Sequence, residues 1–333
     1  MSLLYFNPWN DLALASGDAH YTPPASAMQM AQDLRDLPQL WAPHDLRRLS
    51  VWGWSPLLVT QLREKGVDEA LLPSAEQMAA YRAASSRQTA VRLLARWRER
   101  FPEPFGNGVL VGESKWCTTM QEVSAAVTAY GNEAMLKAPW SGSGRGVHPV
   151  HGGVSDKNLA WVTRTLQRQG AVEVEPSYNK VVDFAMEFWS ENGQVRYEGL
   201  SLFTTTAGGV YSGNLVASEQ EKERRLVAYI PLEQLAEVRR QLTALLNEAL
   251  SNELLPAWYT GPFGVDMMVV ARTPSSIDSC SYSIHPLVEI NFRMTMGWLA
   301  LQLAHDLKPD EICLFRILQE RGHYRWELNP YDL

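Results

Sequence analysis

The chain has 333 residues, 20% of them charged and 46% hydrophobic, with a formal net charge of −7 at pH 7. That length suits about two domains and buries a core without covalent staples, the composition argues against disorder or a coiled coil, and the acidic surplus argues against a nucleic-acid binder, which needs a basic face. Three widely spaced cysteines, Cys117, Cys280 and Cys313, argue against a disulfide framework and for a reducing, cytoplasmic setting. No stretch approaches the roughly 20 apolar residues of a membrane span, and "MSLLYFNPWNDLALA", lacking a basic leader and interrupted by Asp11, is not expected to be a signal peptide.

The first 85 residues predict alternating strands and helices: "LLYF", "SAMQMAQDL", "LSVWGW", "SPLLVTQLREKG", "ALLP". This is the pattern of a parallel α/β layer. Ser55 as cap, Pro56 at the first helical position and Gly66 at the exit place a helix over 56–65. No G-x-G-x-x-G follows the first strand, so a dinucleotide fingerprint is missing there. Residues 74–100 read as helix, opened by a capping box of Ser74 and Gln77 and broken at Ser85 and Ser86, a joint between domains. Beyond the turn "FPEPFGNG" come a strand "GVLVG", a helix over 121–130 closed by Gly131, a strand "AMLKAP", a helix over 156–169 closed by Gly170, and a strand "AVEVEP". The remainder predicts "VDFAMEFWS", a turn at "ENGQ", "VRYEGLSLF", a long helix over 232–251 and two strands near the C-terminal end.

Two stretches carry chemistry. In "MLKAPWSGSGRGV", Lys137 lies in a strand, where an unpaired ammonium out of water costs several kcal/mol or shifts its pKa. It wants an anion. The loop that follows has Gly142, Gly144 and Gly146 free of Cβ, so its backbone N–H groups can close over a polyphosphate, with Arg145 adding charge. A Walker loop or a kinase loop would put its glycines before the lysine; here the order is reversed. Alone, this leaves two readings standing, a nucleotide site and a lysine snorkelling beside a flexible turn.

"GPFGVDMMVVAR" and "SIHPLVEINFR" flank the turn-rich "TPSSIDSCSY" and read as a hairpin. Symmetry about residues 277 and 278 puts Asp266 opposite Glu289, and like charges directly across a ladder repel unless a cation lies between them. Glu289, Asn291 and Arg293 alternate onto one face while Val288, Ile290 and Phe292 take the other. Three oxygen ligands without thiolate or imidazole favour Mg²⁺, with Mn²⁺ as its substitute. "HPVH" at His148 and His151 lacks a third ligand at zinc-like spacing. His285 is either a satisfied structural histidine or a substrate contact.

Taken in order, "MLKAPWSGSGRGV", "VEVEPSY", "GPFGVD" and "VEIN" resemble the ATP-grasp superfamily, the fold of carboxylate-amine ligases and of biotin carboxylase. The resemblance spans residues 85 to 300. It implies two α+β subdomains clasping ATP after a small Rossmann-like parallel α/β domain: residues 1–85, a helical linker 86–105, a small subdomain 106–176 and a large one 177–333. It further implies that Lys137 contacts the α/β-phosphates, that Ser141, Gly142, Ser143, Gly144 and Gly146 form a lid, that Glu175 and Tyr178 mark the adenine end, and that Asp183 binds ribose. Asp266, Glu289 and Asn291 match the metal positions. Arg87 matches a second phosphate-contacting lysine, with charge kept but compactness lost. The implied activity is an ATP- and Mg²⁺-dependent ligase that makes an acyl phosphate for attack by an amine or another nucleophile, releasing ADP and phosphate, with Arg293 and Arg145 stabilising charge. Substrates would be a small-molecule or peptide carboxylate and an amine, with neither nucleic acid nor membrane as partner, and the resemblance admits a homodimer. In "SLFTTTAGGVYSGN", Tyr211 and Asn214 are expected substrate contacts. A phosphotransferase, or a regulator that binds nucleotide without turnover, would carry the same motifs.

Overall fold

The computed structural model describes residues 4–41, 49–142, 146–206, 211–272, 281–308 and 310–331. Strand β1 (Leu4–Tyr5) leads through helices α1 (Asn10–Ser16) and α2 (Ala25–Asp33) to β2 (Ser50–Val51), which pairs with β1 in parallel. The parallel layer is thus present in two short strands. "ALLP" does not add a third: Asp68 accepts a hydrogen bond from the Ala70 N–H and winds Glu69–Leu71 into a 3₁₀ turn. Helix α3 (Pro56–Glu64) opens on Ser55, whose side chain accepts from the Leu58 N–H, with proline in its first turn. Helix α4 (Ala75–Ala84) carries the reciprocal Ser74–Gln77 capping box. The expected break follows: Ser85 donates to the Tyr81 carbonyl, and Ser86 accepts from the Gln88 N–H to start α5 (Arg87–Arg100), which α6 (Pro102–Gly106) succeeds.

"GVLVG" is not a strand of the next sheet. Leu110 makes one parallel bridge to Ile284, and Gly108 and Gly112, at φ of 75° and 125°, end the extended run on both sides. The small sheet is built instead from β3 (Lys115–Cys117), then α7 (Met120–Ala129), β4 (Glu133–Lys137), β5 (Val147–His151), α8 (Asp156–Gln169) and β6 (Val172–Pro176), in the antiparallel order β3-β6-β4-β5. Its helices cover one face, where Val123, Val127, Leu136, Val162, Val172 and Val174 form a separate core. The opposite face is left for polar residues.

The large sheet takes β7 (Lys180–Glu191), β8 (Gln194–Thr205) and β9 (Tyr211–Val216); after α9 (Glu219–Leu226) and α10 (Leu232–Ser251) come β10 (Gly261–Ala271), β11 (Tyr282–Asn291), α11 (Met296–Ala304), β12 (Cys313–Glu320) and β13 (His323–Pro330). Its seven strands run β11-β10-β7-β8-β9-β12-β13. Trp97 of α5 donates to Gln241 of α10 at 2.7 Å and pins the two helices over a core that includes Phe184, Phe188, Leu242 and Ile290. Leu58, Leu62 and Tyr81 belong to that same core, and Phe6 and Trp52 to a second one under α11. The N-terminal segment is therefore packed onto the large sheet, which brings α1 to the site.

Candidate functional site

Lys137 is the last residue of β4 and pairs with Glu173 of β6, on the face turned away from the valine core. Glu173 and Glu175 share that face because alternate strand residues do. The lysine is 4% exposed, so it is a buried charge and not a snorkelling one. Its Nζ lies 2.7 Å from Glu175 Oε1, an ion pair without the alignment of a hydrogen bond. Burial pulls the Lys137 pKa down, but Glu175 and Glu173 outweigh it and hold the ammonium above its usual range. Burial raises the pKa of Glu173 despite Lys137 nearby, and Ser114 donates to its Oε1 at 2.7 Å.

Arg87, at the first position of α5, is 4% exposed. A cation there opposes the helix dipole, so other partners must hold it. Its Nη1 donates to the Ala138 carbonyl at 2.7 Å and to Ser141 Oγ at 2.6 Å, its Nη2 to Glu289 Oε2 at 2.7 Å, and its Nε stands 4.0 Å from Glu173 Oε2. One guanidinium thus ties the small sheet to the β10–β11 hairpin.

His285 is fully buried, and burial, with Lys137 adding to it, pushes its pKa down to about 3, so the ring is neutral. Its Nδ1 accepts from the Leu287 N–H at 3.4 Å, which leaves the proton on Nε2, 3.8 Å from Glu175 Oε2. Tyr178 meets the ring edge-on at 5.3 Å. The structure therefore brings His285 to the Glu175–Tyr178 end of the site. Arg87 Nε, Lys137 Nζ, Glu173 Oε2 and His285 Nε2 are all buried without a hydrogen-bond partner among the described residues. Each such group costs about 1–3 kcal/mol, and four near one another are groups that a polar ligand would satisfy.

Across the cleft, Asp266 pairs with Glu289 and Gly264 with Asn291. The register matches symmetry about 277–278, although residues 273–280 lie outside the described ones. The ladder slips between Asp266 and Met268, where Pro286 of β11 has no N–H to give. Asn291 Nδ2 donates to Asp266 Oδ2 at 2.9 Å. Although a little of Asp266 still meets solvent, burial of its carboxylate, then the charges of Glu289 and Glu187, push its pKa up to about 8. Two carboxylates and a carboxamide crowded until one carboxylate takes a proton fit a divalent cation, and an all-oxygen donor set fits Mg²⁺ or Mn²⁺.

Arg293 is held by a residue the sequence reading passed over. Its Nε and Nη2 donate to the two carboxylate oxygens of Asp11, each at 2.9 Å, while Nη2 also reaches Asn291 Oδ1 at 2.9 Å and Nη1 the Met294 carbonyl at 3.1 Å. Asp11 stands in the first turn of α1. Beside it the glycine loop closes with the Ala138 N–H donating to the Gly146 carbonyl at 2.8 Å. A Cβ at Gly146 would lie 2.3 Å from Ser141 Cβ, so that position needs glycine for close approach, while one at Gly142 would lie 2.6 Å from Asp11 Oδ2 and displace that carboxylate. Ser143, Gly144 and Arg145 lie outside the described residues. Trp140 anchors the loop: its backbone N–H donates to Gln169, its indole N–H to the Arg82 carbonyl, and the Arg82 guanidinium lies 3.9 Å above its ring.

Asp183 lies in one ladder row with Met268 and His285, two strands from that histidine, whereas Tyr211 and Asn214 lie on β9. Asp183 bonds to Lys180 at 2.5 Å and to Thr205 at 3.0 Å. Asn214 is 1% exposed and donates to Ser201 at 2.7 Å; Tyr211 is half-buried on the same strand, its hydroxyl without a partner among the described residues. The structure brings neither to Lys137 nor to the hairpin. His148 lies against the Trp161 ring at 4.4 Å and His151 pairs with Glu133 at 2.7 Å. Glu173 and Ser114 were missed; the alternation in "VEVEP", two valines inward and two glutamates outward, was a signal for the first.

A small antiparallel sheet with a buried lysine and a glycine loop, closed against a larger sheet whose end hairpin carries Asp266, Glu289 and Asn291, is the two-part clasp that the motif order implies. This is the arrangement that the resemblance of the motifs to the ATP-grasp superfamily implies. No family model and no curated protein matches the chain. Solved structures similar to this chain include N5-carboxyaminoimidazole synthetase from Staphylococcus aureus complexed with ADP, 13% identical, covering 95% of this chain and 82% of that one with a TM-score of 0.49. A biotin carboxylase–ATP complex from Campylobacter jejuni is 10% identical, covering 95% and 75% with a TM-score of 0.49. D-alanyl-alanine synthetase A from Vibrio cholerae O1 is 14% identical, covering 78% and 71% with a TM-score of 0.43. These are likenesses of fold alone. No helix among the described residues is long and apolar enough to cross a membrane.

Proposed function

We infer that the protein is an ATP- and Mg²⁺-dependent, ADP-forming ligase that activates a carboxylate as an acyl phosphate for attack by an amine. The observation that carries this reading is the convergence of four buried polar atoms without a hydrogen bond among the described residues, on Arg87, Lys137, Glu173 and His285, with Arg87 bonded directly to Glu289 of the β10–β11 hairpin. Lys137 and Arg87 would bind the phosphates, Glu175, Tyr178 and His285 the base, and Asp183 the ribose. Asp266, Glu289 and Asn291 would hold the metal, which when bound offsets charge on the transferring phosphoryl group. A carboxylate oxygen attacks the γ-phosphorus and ADP leaves; the amine then attacks the acyl carbon and phosphate leaves with that oxygen. Arg293 and Arg145 stabilise the developing charge, and the glycine loop excludes water. The division at 85, 105 and 176, a cytoplasmic setting and substrate contact by Tyr211 and Asn214 are parts of the same reading.

The test screens carboxylate and amine pairs for dependent ADP release, then repeats the productive pair with heavy oxygen in the carboxylate. Label should appear in inorganic phosphate. Release of AMP and pyrophosphate, or unlabelled phosphate, rules out the acyl phosphate; phosphoryl transfer without an amine requirement identifies a phosphotransferase.

A further inference from the structure

A guanidinium offers five N–H donors, and four of those on Arg293 are spent inside the protein: two on Asp11, one on Asn291 and one on the Met294 carbonyl. While Asp11 stays, Arg293 has no fork to offer any other anion. The contact is a parallel, two-bond pairing of guanidinium and carboxylate, the geometry by which an arginine recognises a substrate carboxylate. It lies beside the metal positions and closes the space there to a cavity of about 10 Å³ lined by Asp11, Trp140, Ser141, Glu289, Asn291 and Arg293.

We propose that Asp11 is an internal competitor for the substrate: its carboxylate fills the Arg293 fork, and the substrate carboxylate displaces it. This rests on the ligase reading and names the residue that governs its carboxylate seat. Three observations make exchange feasible. Side chains of Arg293 and Asp11 are 15% and 21% exposed, so exchange leaves the core intact. Asp11 occupies the first turn of α1, where a released carboxylate remains favoured by the helix dipole. Asp11 Oδ2 also lies against Gly142, within 2.6 Å of where a Cβ would be. Its departure therefore opens space beside Gly142.

The test labels Arg293 with phenylglyoxal in the full chain and follows the modified peptide by mass spectrometry, in wild type and Asp11→Ala, with acetate as the carboxylate probe. An internal carboxylate acts at an effective concentration of millimolar or more, so labelling should be about tenfold faster in Asp11→Ala, and acetate should protect that variant at concentrations about tenfold lower than it protects wild type. Equal labelling rates, or equal protection by acetate, overturn the proposal. If Asp11→Ala does not fold, Asp11→Asn keeps the shape, loses the charge and takes its place with the same expected direction. Nucleotide affinity of Lys137→Met paired with Glu175→Gln, measured separately, tests the nucleotide site on which the ligase reading stands: its failure leaves the labelling result intact, and a failed labelling result leaves the nucleotide site intact.

Discussion

The two ends of the cleft are built on opposite principles. At the Lys137 end, polar atoms are buried in ion pairs and left without hydrogen bonds among the described residues; at the Arg293 end, side chains are partly exposed and hydrogen-bonded to each other. The first end holds buried groups unsatisfied at a cost that a polar ligand would offset. The second end satisfies itself, so a ligand there must compete with the protein's own groups. Binding at the first should be a matter of affinity, and binding at the second a matter of exchange.

The largest effects should come from the metal positions. In Asp266→Asn or Glu289→Gln, turnover should fall at least ~100-fold, the scale reached when even an outer partner of a metal ligand is lost, while much of the nucleotide affinity remains. Because Asp266 is held up to about 8 chiefly by burial and by Glu289, its ionisation as pH rises from about 4 to 8 costs the metal-free protein stability. Asp266→Asn should flatten that fall in metal-free urea denaturation. Normal Mg²⁺-dependent turnover in both variants would refute the hairpin as the metal site.

Next in size is Lys137. Lys137→Met should lose the ~1.5 to 3 kcal/mol of a charge-assisted contact, seen as a 10- to 100-fold weaker ATP affinity by calorimetry. Removing the ammonium strands Glu175, so the variant is best paired with Glu175→Gln to keep the fold. Unchanged ATP affinity in the folded double variant would mean the orphaned cluster is not a nucleotide cradle.

Arg87→Lys should act more mildly, raising the KM for ATP by about fivefold to tenfold, since one ammonium cannot bond Ala138, Ser141 and Glu289 together. An unaltered KM would assign Arg87 to structure alone.

The smallest effect is a pH dependence at the Lys137 end. His285 stays neutral in the fold, with its pKa near 3 against the ordinary 6.5, so the unfolded chain binds the extra proton between those values. Stability should therefore fall as pH drops below 6.5, by about 1 kcal/mol at pH 5.5. His285→Gln should lose this slope in urea melts; an identical slope in both proteins would mean the ring is not held neutral.

Much of this was legible because it is local. Capping boxes, the proline and glycine punctuation of α3 and α8, and the alternation along β10 and β11 are set by neighbours within a few residues. The Asp266–Glu289 pairing was legible for the same reason, as hairpin register follows from the two flanking strands. Local pattern failed at "ALLP" and "GVLVG", where an aspartate side chain and two left-handed glycines overrode strand composition.

The sequence by itself determined the order of the clasp and the residue types at its centre: a strand lysine, a glycine loop behind it, and alternating oxygen ligands on a hairpin. Only the tertiary structure decided which charge neutralises which. Arg87 bonds to Glu289 across 202 residues and Arg293 to Asp11 across 282. Such pairings leave no periodicity in the chain, because partners so far apart meet only through the packing of the cores beneath them.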